Sequence, residues 1–179
     1  MKIRRVVAGT GADGKAQVLS DGAAPRSVEF TTVPGFAAAL LWATDAVDSV
    51  GTGGVADRTG EAGFVPAAGG TRLMMVRFPP DAVMMRADFD AAAFGAEFGR
   101  LVPGLAETFE LEHPGKHTTD SIDYDVVLEG EIVIEFDDGL EVALHPHDVV
   151  VQHGTRHAWR NRSDKPAKML FVLTGAQRR

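Results

Sequence analysis

Two histidines, two aspartates and a threonine carry most of the chemistry this sequence offers. Four of the five fall within nine residues, His117, Thr119, Asp123 and Asp125 of HTTDSIDYD, while His157 stands far along the chain in HAWRN. Imidazole nitrogens and carboxylate oxygens are the donors of metal sites that lack thiolates, and they also serve as general acids and bases. There is no cysteine, so disulfides, thiolate zinc centres and cysteine nucleophiles are excluded. If His117, Asp123 and His157 converge, they supply two imidazoles and a carboxylate, a set that leaves coordination positions open.

Strand parity says which neighbours share a face. In an extended segment Asp123, Asp125 and Val127 point one way and Tyr124, Val126 and Leu128 the other. Thr119 shares a face with His117, and His157, Trp159 and Asn161 share another. An inward Asp125 would have its carboxyl raised by desolvation, which suits a general acid or base. Pairing with Arg160 or another cation is the structural alternative. Trp159 either stacks on a bound molecule or fills the interior, and Asn161 fixes a turn. Asp123 has an alternative as an Asx-turn carboxylate. His113, His145, His147 and His153 fall in turns and read as surface residues.

The elements around these residues are mostly strands. From Thr108 onward, turn signals recur at Glu129-Gly130, Asp138-Gly139, Pro146-His147 and Gly154-Thr155, a spacing that predicts a sandwich or barrel. TRLMMVRF is a strand stopped by Pro79-Pro80, and its methionines, like Met84 and Met85, are expected in the core. One helix is predicted near 88–101, capped by Asp90, with Phe94, Phe98 and Leu101 on its inner face. Residues 1–70 read as a β-rich arm ending in a Gly/Ala-rich irregular connection, and residues 71–179 as the barrel. Gly9, Gly11 and Gly14 match a dinucleotide fingerprint in form, but no helix follows. A hairpin around 12–15 fits better. VPGFAAALLWATDAV is ambiguous between a buried strand and a short helix.

A chain of 179 residues suits one well-buried domain. Net charge is −7, which argues against a nucleic-acid groove or an anionic membrane surface. No signal peptide or membrane span is visible, so cytoplasmic residence is expected.

Residues 117–161 resemble the two short motifs of the cupin superfamily. His117, Thr119, Asp123 and Gly130 occupy the His, His, Glu and Gly positions of the first motif. In the second, His157 and Asn161 are kept while His147 and His153 stand where glycine and proline are usual. The nearest resemblance is to small single-domain bacterial cupins with a His-x-Thr-x-x-x-Asp-Tyr first motif, and it reaches LWATD and RFPPDA. It implies an all-β double-stranded β-helix with a β-rich N-terminal arm and one inserted helix. It also implies a homodimer and a divalent metal ion, iron, zinc, manganese or nickel, held by His117, Asp123 and His157. Metal-dependent dioxygenase or lyase/dehydratase chemistry on a small organic molecule is then expected. Asp125 and Thr119 are the candidate catalytic residues and Trp159 the cofactor-binding one. A non-catalytic ligand-binding protein and a metal-independent isomerase are the alternatives.

Overall fold

The computed structural model describes residues 1–179. Its elements are β1 (Arg4–Thr10), β2 (Ala16–Ala23), β3 (Arg26–Glu29), β4 (Ala37–Thr44), β5 (Thr71–Phe78), α1 (Ala91–Leu101), β6 (Ser121–Glu129), β7 (Ile132–Glu135), β8 (Glu141–Leu144), β9 (Val149–His153), β10 (Ala158–Arg160) and β11 (Ala167–Gly175). Strands β5, β6 and β11 alternate between buried and accessible residues along their length. A two-residue period of this kind lets a strand bury one face.

The strands form a six-stranded sheet in the order β3-β4-β5-β11-β6-β9, a three-stranded sheet in the order β10-β7-β8, and a separate β1–β2 hairpin. Every named strand pair is antiparallel. The main core lies between the two larger sheets. Leu40, Met74, Val127, Met169 and Phe171 from one meet Ile132, Ile134 and Leu144 from the other. Helix α1 adds Phe94, Phe98 and Leu101 to its edge. Asp90 caps the helix by accepting from Ala93 N at 2.9 Å, which satisfies one of the orphan donors of the first turn.

The large sheet reaches further back along the chain than residue 71, because β3 and β4 extend it beyond β5. The ambiguous run becomes β4. Its pattern is hidden because both faces are covered: Ala38 and Leu40 join the main core, while Ala39 and Leu41 form a second cluster with Ala24. A strand buried on both sides loses the alternation that marks it in sequence. The hairpin expectation holds, with Gly14 at φ 78° in the turn and Gly11 N donating to Lys15 O at 2.9 Å. Met74 is core, as expected, but Met85 is 83% exposed. No helix is long and apolar enough to cross a membrane.

Candidate functional site

His117 and His157, forty residues apart in sequence, sit directly opposite each other. His117 N donates to His157 O at 2.9 Å and His157 N to His117 O at 3.1 Å. A reciprocal antiparallel pair holds both side chains on one face, and the ring centroids are 4.3 Å apart. Each Nδ1 donates to a carbonyl two residues back, Gly115 O at 3.1 Å and Thr155 O at 2.9 Å. A carbonyl can only accept, so the proton of each neutral ring is on Nδ1, and Nε2 carries the free lone pair. Burial lowers both imidazoles. His157 falls to about 3, with neighbouring His117 as a further cause. Phe109 stacks on His117 at 4.4 Å, and Trp159 meets His157 edge-on at 5.7 Å.

Strand β6 brings the carboxylates. Ser121, Asp123, Asp125 and Val127 all face inward and are buried. Asp125 is completely inaccessible. Its Oδ2 accepts from Gln152 Nε2 at 2.7 Å, and its Oδ1 has no partner. Asp123 Oδ1 is likewise unpartnered, and Thr119 Oγ1 lies 3.5 Å from its Oδ2. Burial raises both carboxyls. Asp125 reaches about 7, the bond from Gln152 opposing burial and the charge of Asp123 adding to it. A carboxylate lacking donors in a low-dielectric interior resists ionisation.

Gln152 ties the two halves together. It sits opposite Asp123 on β9, and its Nε2 lies 2.7 Å from Asp125 and 3.3 Å from His157 Nε2. Thr155 Oγ1 donates to Gln152 Oε1 at 2.9 Å, which fixes the amide with its nitrogen toward the aspartate. The sequence reading missed this residue. The available signal was a polar side chain at an inward position of the otherwise apolar VVVQH.

The expected residues are therefore brought to one interior, though not in every expected arrangement. Thr119 turns toward the carboxylates: its Oγ1 accepts from Ser121 Oγ at 2.9 Å and faces Asp123. Trp159 is packed edge-on between His157 and Phe171 and belongs to the core edge. Arg160 pairs with Glu135, so Asp125 has no cationic partner there. Asn161 holds the turn after β10, donating to Phe78 O and Lys165 O and accepting from Ser163.

The donor set is right in kind for a divalent ion, with two Nδ1-protonated imidazoles and an unpartnered Asp123 oxygen. The arrangement is not. No three histidine, aspartate or glutamate side chains gather closely enough to hold a metal, and the Gln152 amide already covers His157 Nε2. As they stand, His117, Asp123 and His157 do not fit a three-ligand centre.

Residues 106–173 match the family described as Cupin domain. That span holds all of the candidate site residues. The barrel is a cupin fold. The match and the strand-rich architecture support a place in the cupin superfamily. A 62-residue stretch is 50% identical to phomopsin biosynthesis cluster protein C′ of Diaporthe leptostromiformis, covering 34% of this chain and 33% of that protein. A 60-residue stretch is 42% identical to cupin-domain-containing oxidoreductase fogC of Aspergillus ruber, covering 32% of this chain and 30% of that one. The chain thus spans about a third of the length of these relatives. Among solved structures, one described as a putative ethanolamine utilization protein Q from Salmonella typhimurium LT2 aligns over 99% of both chains at 14% identity, with a TM-score of 0.43.

Proposed function

We propose that this cupin is an enzyme that moves a proton on a small organic molecule held against the inner face of the barrel. The chemistry is of the lyase/dehydratase or isomerase type, with Asp125 as the acid–base group. One observation carries the reading: a completely buried carboxyl, held near neutrality, with one oxygen fixed by Gln152 and the other unpartnered. A group that titrates near the working pH both gives and takes a proton readily, and an unpartnered oxygen is where a substrate hydroxyl or C–H would meet it. Perturbed carboxyls in an interior are candidates for function on this physical ground. The neutral imidazoles of His117 and His157 then act as hydrogen-bond acceptors through Nε2.

The test reads Asp125 directly. Side-chain carboxyl carbon NMR should show a titration step near pH 7 that disappears in Asp125→Asn. A step near pH 4 with no second transition would sink the reading.

A second reading keeps the metal. The buried Asp123 Oδ1 has no partner and the Nε2 of His117 offers a lone pair, and a divalent ion would take both once the Gln152 amide moved off His157. The names of two fungal relatives, fogC and srdB, carry the word oxidoreductase, which suits an ion at that place. Elemental analysis of protein purified without added metal separates the two. About one ion per chain, lost in both His117→Ala and His157→Ala, supports the second reading. Unchanged turnover after dialysis against a chelator supports the first. We also keep the homodimer as part of this proposal, tested by light scattering. The exposed Tyr124, Val149 and Val151 on the outer face of β6 and β9 favour it.

A further inference from the structure

Where β11 ends and the approach to β6 begins, the barrel carries a cavity of about 330 Å³. Its size falls at the lower end of small-molecule sites. One wall is the turn Val65–Ala68, with Ala176 beside it, and the other is formed by Thr108, Thr118 and Thr119. Thr119 is the link inward, because the residue that lines this cavity also touches Asp123 and Ser121.

The wall is built rigidly from backbone. Gly69 N donates to Gly175 O and Gly175 N to Gly70 O, both at 2.9 Å. A Cβ at position 175 would lie 1.9 Å from Ala67 O, and one at position 70 would lie 2.7 Å from Thr44 O. Only glycines allow the turn to press this closely on the end of β11. A wall fixed before binding spares the ligand the cost of ordering it.

The lining also selects by charge. No lysine, arginine or histidine lines the cavity, and the one cation that reaches its lining residues, Arg178, is already engaged by them. Its one carboxylate, Asp120, already accepts from Arg178 Nε at 2.6 Å. Arg178 is further tied to Thr119 O at 3.0 Å. What remains is hydroxyl oxygen against apolar surface. Thr108 Oγ1 donates to Leu105 O at 2.7 Å and thus presents lone pairs to a neighbour. We infer that this cavity binds an uncharged, hydroxyl-bearing organic molecule and hands its polar end past Thr119 to the buried carboxylates. The later proton transfer rests on the acid–base reading, whereas binding in the cavity is independent of it.

The experiment uses the full chain and three matched probes: cyclohexanol, cyclohexanecarboxylate and cyclohexylamine. In amide-detected NMR titrations, cyclohexanol should shift Thr118, Thr119 and Ala176. The two charged probes should bind roughly tenfold or more weakly, about 1.4 kcal/mol. Ala68→Trp should fill the cavity and weaken cyclohexanol at least roughly tenfold. Ala176→Phe serves the same purpose should the tryptophan variant not fold. Shifts confined to other amides, equal binding of all three probes, no shift at any soluble concentration, or wild-type binding by a folded cavity-filling variant would each overturn the inference. A wild-type protein that binds cyclohexanol but shows no titration step near pH 7 fails the acid–base reading alone, and one that shows the step but does not bind cyclohexanol fails the cavity alone.

Discussion

Glu97 and Asp125 are both carboxylates removed from water, and their surroundings drive them in opposite directions. Burial by itself would raise either one. Glu97, on α1, accepts from the amides and hydroxyls of Thr31 and Thr32, at 2.6 to 3.1 Å. Those bonds outweigh burial and hold it at about 2. Asp125 has Gln152 alone, and burial wins, leaving it at about 7. The first carboxylate staples the helix to the turn after β3. The second is an interior acid with an unused oxygen. Donor count and depth of burial together separate the two.

The largest effect should come from removing the Asp125 charge. In the native state its carboxyl is raised from 3.8 to about 7, so the folded chain keeps a proton that the unfolded chain gives up. Stability from this group is fully present below about pH 4 and is lost as pH rises through 7. Asp125→Asn keeps the acceptor for Gln152 and removes the cost of ionisation. It should therefore stabilise the protein by up to about 4 kcal/mol at pH 8 and by almost nothing at pH 3. Urea denaturation at the two pH values checks this. An equal effect at both would show that Asp125 is not perturbed.

Glu97→Gln should do the reverse. The glutamine loses the charge that strengthens the bonds from four donor groups and places an NH₂ against some of them, at a cost of about 2–3 kcal/mol at pH 7. Because the folded-state value is depressed, the wild type has this contribution above about pH 4.5 and loses it as pH falls toward 2. The gap between Glu97→Gln and the wild type should close in acid, while the gap for Asp125→Asn closes there from the other side.

The imidazoles sharpen the comparison further. His157 is lowered to about 3 by burial, then by His117. Its neutral form contributes stability above about pH 6.5, and this is lost as pH falls toward 3. Between pH 4 and 6.5 that slope opposes the slope from Asp125, so the wild type should be nearly flat. Asp125→Asn should expose a rising profile and His157→Asn a falling one. Two flat profiles would mean that neither group is displaced.

How much of this was legible in the sequence differs by element. Strand alternation alone placed Asp123, Asp125 and Val127 on the inner face of β6. The turn spacing after Thr108 indicated the barrel. Asp90 and the Phe94/Phe98 pair marked the helix, which starts at Ala91. β4 stayed ambiguous because burial on both faces erases period. The donor lists of Glu97 and Asp125 were invisible, since Thr31, Thr32 and Gln152 lie 66, 65 and 27 residues away in the chain. The position where glycine is usual in the second motif holds His147, which takes a φ of 79°. The turn keeps its left-handed backbone, and the histidine bears a strain that glycine would not.

The smallest effect tests the hinge of the comparison, the single donor of Asp125. Gln152 can serve as that donor only while its amide is held with nitrogen toward the carboxylate. Thr155 holds it by donating to the amide oxygen. In Thr155→Val the shape is kept and that hydroxyl is gone, so the amide is freer to turn its oxygen toward Asp125. The loss in stability should be about 1 kcal/mol, near the limit of a denaturation curve. The carboxyl titration is the sharper measurement. With its one donor weakened, Asp125 should titrate higher still, while Glu97, whose donors are untouched, should not move. A fall in the Asp125 value would mean that the amide in the wild type already faces the other way. Donor count would then no longer explain why these two carboxylates part.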